Sequence, residues 1–220
     1  MKAISLVLAG IAVSAIAQLY PTKQNLAESV AIRLSEVRLQ EELGLRSDQR
    51  ERVSRTVQNY STRMSALNEK ISKASDAQRT ALSQQLANLE VGTAKEIVGL
   101  LDVAQSERLW QIAIQNTGPF ALRSPVVARK VGLTPAQSKQ INSIAARTLS
   151  ELTTLGDQVG RQIDAAPPGP SGEPKRAAIS KSYMEKSELI EAKGEKAVLA
   201  LLSASQIQKW RTANGSPFKL

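Results

Sequence analysis

The sequence predicts an all-α protein built from long antiparallel helical hairpins, arranged as two units in tandem. Three observations carry this. Ala, Leu, Gln, Glu, Lys, Arg and Ser dominate the chain while only seven of its 220 residues are aromatic, a composition that favours helices. Apolar residues recur at the alternating four-three spacing of a helical seam, the period of a coiled coil. A short phrase beginning with Leu and ending four residues later with Gln occurs four times, each time where a helix is expected to start.

The first element is residues 1–17, MKAISLVLAGIAVSAIA, with a single Lys2, an apolar run from Ala3 to Ala17 and a small-x-small ending at Ala15-Ile16-Ala17. This reads as a secretory signal peptide cleaved before Gln18. Crossing a bilayer takes about 20 apolar residues, and this run is shorter and ends at Gln18. The expected product is residues 18–220, periplasmic or secreted, with no transmembrane segment once the signal is removed. Cysteine is absent, so packing alone must hold the fold. Histidine is absent too, which removes thiolate and imidazole chemistry, His-based triads and the usual zinc and copper ligands. No catalytic residue, metal or cofactor is expected, and the chain is not read as an enzyme. Glu185, Glu188 and Glu191, three apart beside Lys181 and Lys186, read as a salt-bridged helix surface rather than a metal set.

Residues 18–44 form an N-terminal helical segment, and residues 45–123 the first unit. In the latter, Val53, Val57, Tyr60, Met64, Leu67 and Ile71 make a seam flanked by Arg50, Arg52, Arg55, Arg63, Glu69 and Lys70. Core packing is the reading of such a stripe. Leu82, Leu86, Leu89, Ile97 and Leu101 repeat the pattern, weakened in the middle by Gly92-Thr93. Only Ala-Ser-Asp separates the two runs, so they fold back as a hairpin. Each helix would be on the order of 40 Å long, and another segment has to cover the seam.

The recurring phrase reads as a helix start. In Leu133-Thr134-Pro135-Ala136-Gln137, Thr134 suits the N-cap, Pro135 the first helical position, and Gln137 can bond back to the cap N–H. Leu202-Ser203-Ala204-Ser205-Gln206 and Leu101-Asp102-Val103-Ala104-Gln105 supply the same box. Leu45-Arg46-Ser47-Asp48-Gln49 departs, because Arg46 is a poor cap, and Ser47 is expected to serve with the register moved by one. The pairs are spaced 56 residues apart (45 and 101) and 69 apart (133 and 202). The excess roughly matches DAAPPGPSGEPK, residues 164–175, a Pro/Gly-rich stretch read as a non-helical exposed loop. After the second and fourth phrases come similar tails, with Trp110 and Phe120 in one and Trp210, Pro217 and Phe218 in the other. The second unit is residues 124–220, and the pattern reads as an internal duplication.

Four such phrases in an exported, helical, cysteine-free chain resemble the LTxxQ periplasmic family (Spy/CpxP-like), here in a tandem duplicated form. The strict match is Leu133-Thr134-Pro135-Ala136-Gln137; Leu45, Gln49, Leu101, Gln105, Leu202, Ser203, Gln206, Trp210, Pro217 and Phe218 extend the pattern. The resemblance implies an elongated bundle or cradle in the bacterial envelope, acting as an ATP-independent chaperone-like binder of unfolded envelope proteins. The alternative is a structural or regulatory protein that docks on one dedicated partner, since the family includes a modulator of an envelope-stress sensor kinase. Two units in one chain suggest a monomeric pseudo-dimer, or a homodimer. Residues 18–120 carry 13 basic and 12 acidic side chains, and residues 121–220 carry 15 and 8. The positive excess therefore lies almost wholly in the second unit, where it reads equally as a solvated helical surface or as a surface for acidic client segments or anionic headgroups. Nucleic acid is not, because stacking aromatics are scarce.

Overall fold

The computed structural model describes residues 23–218, apart from Pro168. The expected signal peptide and its cleavage residues Ala15, Ala17 and Gln18 lie outside the described residues. From the N-terminus the chain forms α1 (Lys23–Ala31), a 3-10 turn (Ile32–Ser35), α2 (Val37–Glu42), α3 (Ser47–Lys73), α4 (Asp76–Val98) and α5 (Val103–Thr117). A second 3-10 turn (Gly118–Arg123) leads to α6 (Pro125–Val131), α7 (Pro135–Asp164), a third 3-10 turn (Pro170–Gly172), α8 (Glu173–Leu199) and α9 (Ala204–Asn214). Among the described residues there is no strand, and no helix is long and apolar enough to cross a membrane.

The chain divides into two compact units, Lys23–Asn116 together with the C-terminal segment from Asn214, and Thr117–Ala213. The repeat predicts a boundary at 123/124. Instead the chain passes from one unit to the other at 116/117 and returns at 213/214, just ahead of each Pro-Phe phrase. Each unit therefore includes the Pro-Phe turn that follows the other unit's helices.

In the first unit α3 and α4 form the expected hairpin, turning at Ala74-Ser75, where Gln78 Oε1 accepts from the Ser75 amide at 3.1 Å. Gly92 and Thr93 do not interrupt α4. One exposed glycine penalises a helix by only about 1 kcal/mol, and Thr93 is buried. The cover for the root of the seam is the N-terminal segment: α1 packs along α4, and the 32–35 turn packs on both α3 and α4. Leu26, Val30, Leu34, Val53 and Ile97 are buried there, each large aliphatic adding about 1.5–3 kcal/mol by leaving water. The cover stops short of mid-hairpin. Val57, Tyr60, Met64 and Leu67 are only half-buried, and the seam closes again at Ile71.

In the second unit the long hairpin is α7 against α8. Its α7 stripe, Ile141, Ala145, Thr148, Leu152, Leu155 and Val159, keeps the four-three spacing. At Gly194 the helix surface is bare enough for Phe120 and Thr148 to close over it, since an added Cβ would lie 2.8 Å from the Phe120 ring and 2.5 Å from Thr148 Oγ1. The stretch read as a non-helical loop, residues 164–175, is shorter than expected at both ends: α7 includes Asp164, and α8 begins at Glu173 with Pro174 in its first turn. Proline fits there because the first helical N–H groups need no partner. The remaining loop is pinned by Arg176, whose guanidinium donates to the carbonyls of Pro167 (2.6 Å) and Gly169 (2.7 Å).

Candidate functional site

The four phrases come together in pairs, one pair in each unit. In the first unit Gln49 Oε1 accepts from the amide of Arg46 (3.0 Å), while its Nε2 donates to the Leu100 carbonyl (2.8 Å) and to Gln105 Oε1 (2.8 Å). Gln105 returns the arrangement: Oε1 accepts from the amide of Asp102 (3.0 Å), and Nε2 donates to the Gly44 carbonyl (3.4 Å) and to Gln49 Oε1 (3.1 Å). In the second unit Gln137 accepts from the Thr134 amide (2.9 Å) and donates to the Leu201 carbonyl (2.7 Å) and Gln206 Oε1 (2.8 Å). Gln206 accepts from the Ser203 amide (2.9 Å) and donates to the Gly132 carbonyl (2.8 Å) and Gln137 Oε1 (2.9 Å).

Each glutamine thus uses both N–H donors and both acceptor directions of its amide. The phrase occurs four times because two reciprocal clasps need four glutamines. Glutamate could not substitute, having no donor in its ionised form, and asparagine is one methylene too short to reach the cap N–H and the partner together. Three of the caps also accept in the standard way: Asp102 Oδ1 from Gln105 N (2.9 Å), Thr134 Oγ1 from Gln137 N (3.1 Å) and Ser203 Oγ from Gln206 N (3.3 Å). At the first phrase the expected register shift to Ser47 does not occur. Arg46 occupies the cap position without a side-chain acceptor, and Gln49 remains three residues after it because the clasp fixes its place.

The leucines of the phrases are secondary: Leu45 is buried, and Leu101, Leu133 and Leu202 are half-buried. Trp210 is nearly buried, Pro217 is exposed and Phe218 half-buried. The C-terminal segment is strapped to the first unit by a residue that sequence reasoning missed. Gln115 Nε2 donates to the carbonyls of Asn214 (2.6 Å) and Ser216 (2.8 Å), and Gln115 Oε1 accepts from the Phe218 amide (2.8 Å). Arg38 lies over the Phe218 ring, 6.0 Å from its centroid. The available signal was a polar Gln directly after the apolar run Ile112-Ala113-Ile114.

Where the first hairpin lacks cover, it leaves a groove of about 550 Å³ between α3 and α4. Ala66, Leu67 and Leu89 line it with apolar surface, Gly92 keeps it wide, and Arg63 and Lys70 stand on the α3 side. Glu96, at the groove, accepts a hydrogen bond from Thr56 at 2.9 Å. Along α8, Lys181 lies 3.9 Å from Glu185, while Glu188, Glu191 and Glu195 follow one another on the helix. Burial raises the carboxyl pKa of Glu191 and of Glu195, reinforced by Glu188 and by Glu191 respectively. Among the described residues no group of three or more acids is arranged to hold a metal ion. The clasps and the strap pin helix starts and a chain end, and the first hairpin carries a groove where Leu67 and Leu89 lie among Arg63, Lys70 and Glu96. Comparison with family models, with curated proteins and with solved structures gives no match to this chain.

Proposed function

We propose that the chain is an exported, periplasmic, ATP-independent chaperone-like binder of the Spy/CpxP type, which holds apolar segments of unfolded envelope proteins and catalyses no reaction. The observation that carries this reading is the half-open seam of the first hairpin. A seam needed only for stability would be closed along its length, as it is at Val53 and Ile71. Instead Val57, Tyr60, Met64 and Leu67 stay half-buried, and of these Leu67 lines the groove. One client side chain entering it would gain about 1.5–3 kcal/mol, a grip weak enough to release. Arg63 and Lys70 bias it towards segments with acidic flanks.

The test is whether substoichiometric protein, residues 18–220, delays aggregation of two chemically unrelated unfolding proteins without ATP. The reading expects delay of both, reduced by Gly92→Leu, which fills the groove at a position with open space around it. Delay of neither client rules out general holdase activity. Delay of only one shifts the reading to a regulatory protein with one dedicated partner.

A further inference from the structure

We propose that the end of the second unit formed by α6, the first half of α7, the last residues of α8 and α9 docks on anionic lipid headgroups. Residues 117–150 and 196–213 contain eight Lys and Arg and no Asp or Glu. The fold brings these two stretches together. Gln206 reaches the Gly132 carbonyl, Gln137 reaches the Leu201 carbonyl, and Lys209 Nζ lies 3.4 Å from the place a Gly132 Cβ would occupy. Every carboxylate of the unit lies on the hairpin from Glu151 to Glu195, and of these Glu195 reaches back to Gly118. On that hairpin the signs are mixed, with Glu151 3.6 Å from Lys193 and Lys181 beside Glu185. Hydration alone would be served by such mixed surfaces, so a one-sign end needs another account.

Six of the cations, Arg129, Lys139, Arg147, Lys196, Lys209 and Arg211, are exposed and have no acidic partner among the described residues. They rise from four helices and do not converge on a shared hydrogen-bonding site. A folded acidic partner would have to match that scatter with fixed carboxylates, whereas laterally mobile headgroups can meet each cation where it stands. Nucleic acid fits less well, because the aromatics of these stretches, Phe120 and Trp210, are engaged in packing and leave no stacking platform.

Sedimentation of the full mature chain with vesicles tests this. Vesicles rich in phosphatidylglycerol should carry the protein down at low salt and release it at high salt, while phosphatidylcholine vesicles should not bind it. Each cation near an anionic surface strengthens binding about fivefold. Replacing Arg129, Lys139, Lys209 and Arg211 by Gln should therefore weaken binding by about tenfold or more even with partial engagement. A control with the same charge removed elsewhere (Arg52→Gln, Lys175→Gln, Lys181→Gln, Lys186→Gln) should lose less than about twofold. Equal binding to both vesicle types, or equal loss in both variants, overturns the proposal. Full competition by millimolar inorganic phosphate would reduce the site to a phosphate pocket, and tighter binding to duplex DNA through the same four residues would reassign the surface to nucleic acid; either overturns the lipid assignment.

Discussion

Replacing Gln49 by Leu tests the clasp most directly. Gln49 is 2% exposed and Gln105 7%, so water does not readily replace the lost partners. The substitution removes the bond to the Arg46 amide, about 1 kcal/mol. It also leaves the Leu100 carbonyl and half of the Gln105 amide unpaired, at about 1–3 kcal/mol each. The first unit should lose about 3–7 kcal/mol. Gln105→Leu should behave alike, but the double variant should fall short of the sum by about 1–2 kcal/mol, because neither amide is then left facing a missing partner. Urea unfolding followed by Trp110 fluorescence, in a Trp210→Phe background, reports the first unit, where Trp110 is fully buried. The midpoint should shift at unchanged slope. A loss below about 1 kcal/mol, or strict additivity of the two substitutions, would refute the reciprocal clasp.

Three further outcomes follow from the geometry. Gly118 holds φ +64 with Glu195 Oε1 2.5 Å from where its Cβ would be, so Gly118→Ala should destabilise the second unit by more than about 1 kcal/mol, whereas Gly92→Ala, in open helical space, should stabilise the first by about 0.5–1 kcal/mol; thermal melts that reverse this order would contradict both assignments. Because burial, with a like-charged neighbour second, raises the folded-state pKa of Glu191 and Glu195, the native state binds protons more readily than the unfolded chain. Their contribution is therefore unfavourable at neutral pH and is relieved as pH falls through the raised values. Relative to wild type, Glu191→Gln/Glu195→Gln should be more stable at neutral pH, an advantage that shrinks in acid; urea titrations across that range check the sign. Gln115→Ala should free the strap, so the Phe218 amide should exchange with solvent faster by about tenfold or more, while the amides of α3 stay protected.

The sequence by itself determined the all-α class, the first hairpin and the helix starts at Asp102, Thr134 and Ser203, because these depend on local chemistry, whereas the cap at Arg46 was misread as Ser47. A four-three apolar period admits one kind of element. A three-residue spacer between two such runs admits one topology, and Thr, Ser or Asp three residues ahead of Gln admits one use of the cap. It read the loop too long because Pro174 counts as a breaker when taken alone and as a first-turn residue once α8 is present.

Tertiary structure decided everything that depends on partners distant in the chain. The glutamines looked like halves of capping boxes, a role each fills within its own phrase. That they also grip each other across 56 and 69 residues follows only when two helix starts meet, for an amide has spare donors whose targets no local pattern reveals. The Pro-Phe phrases followed their own helices in sequence but joined the other unit in space. Periodicity likewise shows that a seam exists without showing what covers it. Packing of α1 and the 32–35 turn closes its root and stops before Val57, leaving the open groove on which the proposed binding rests.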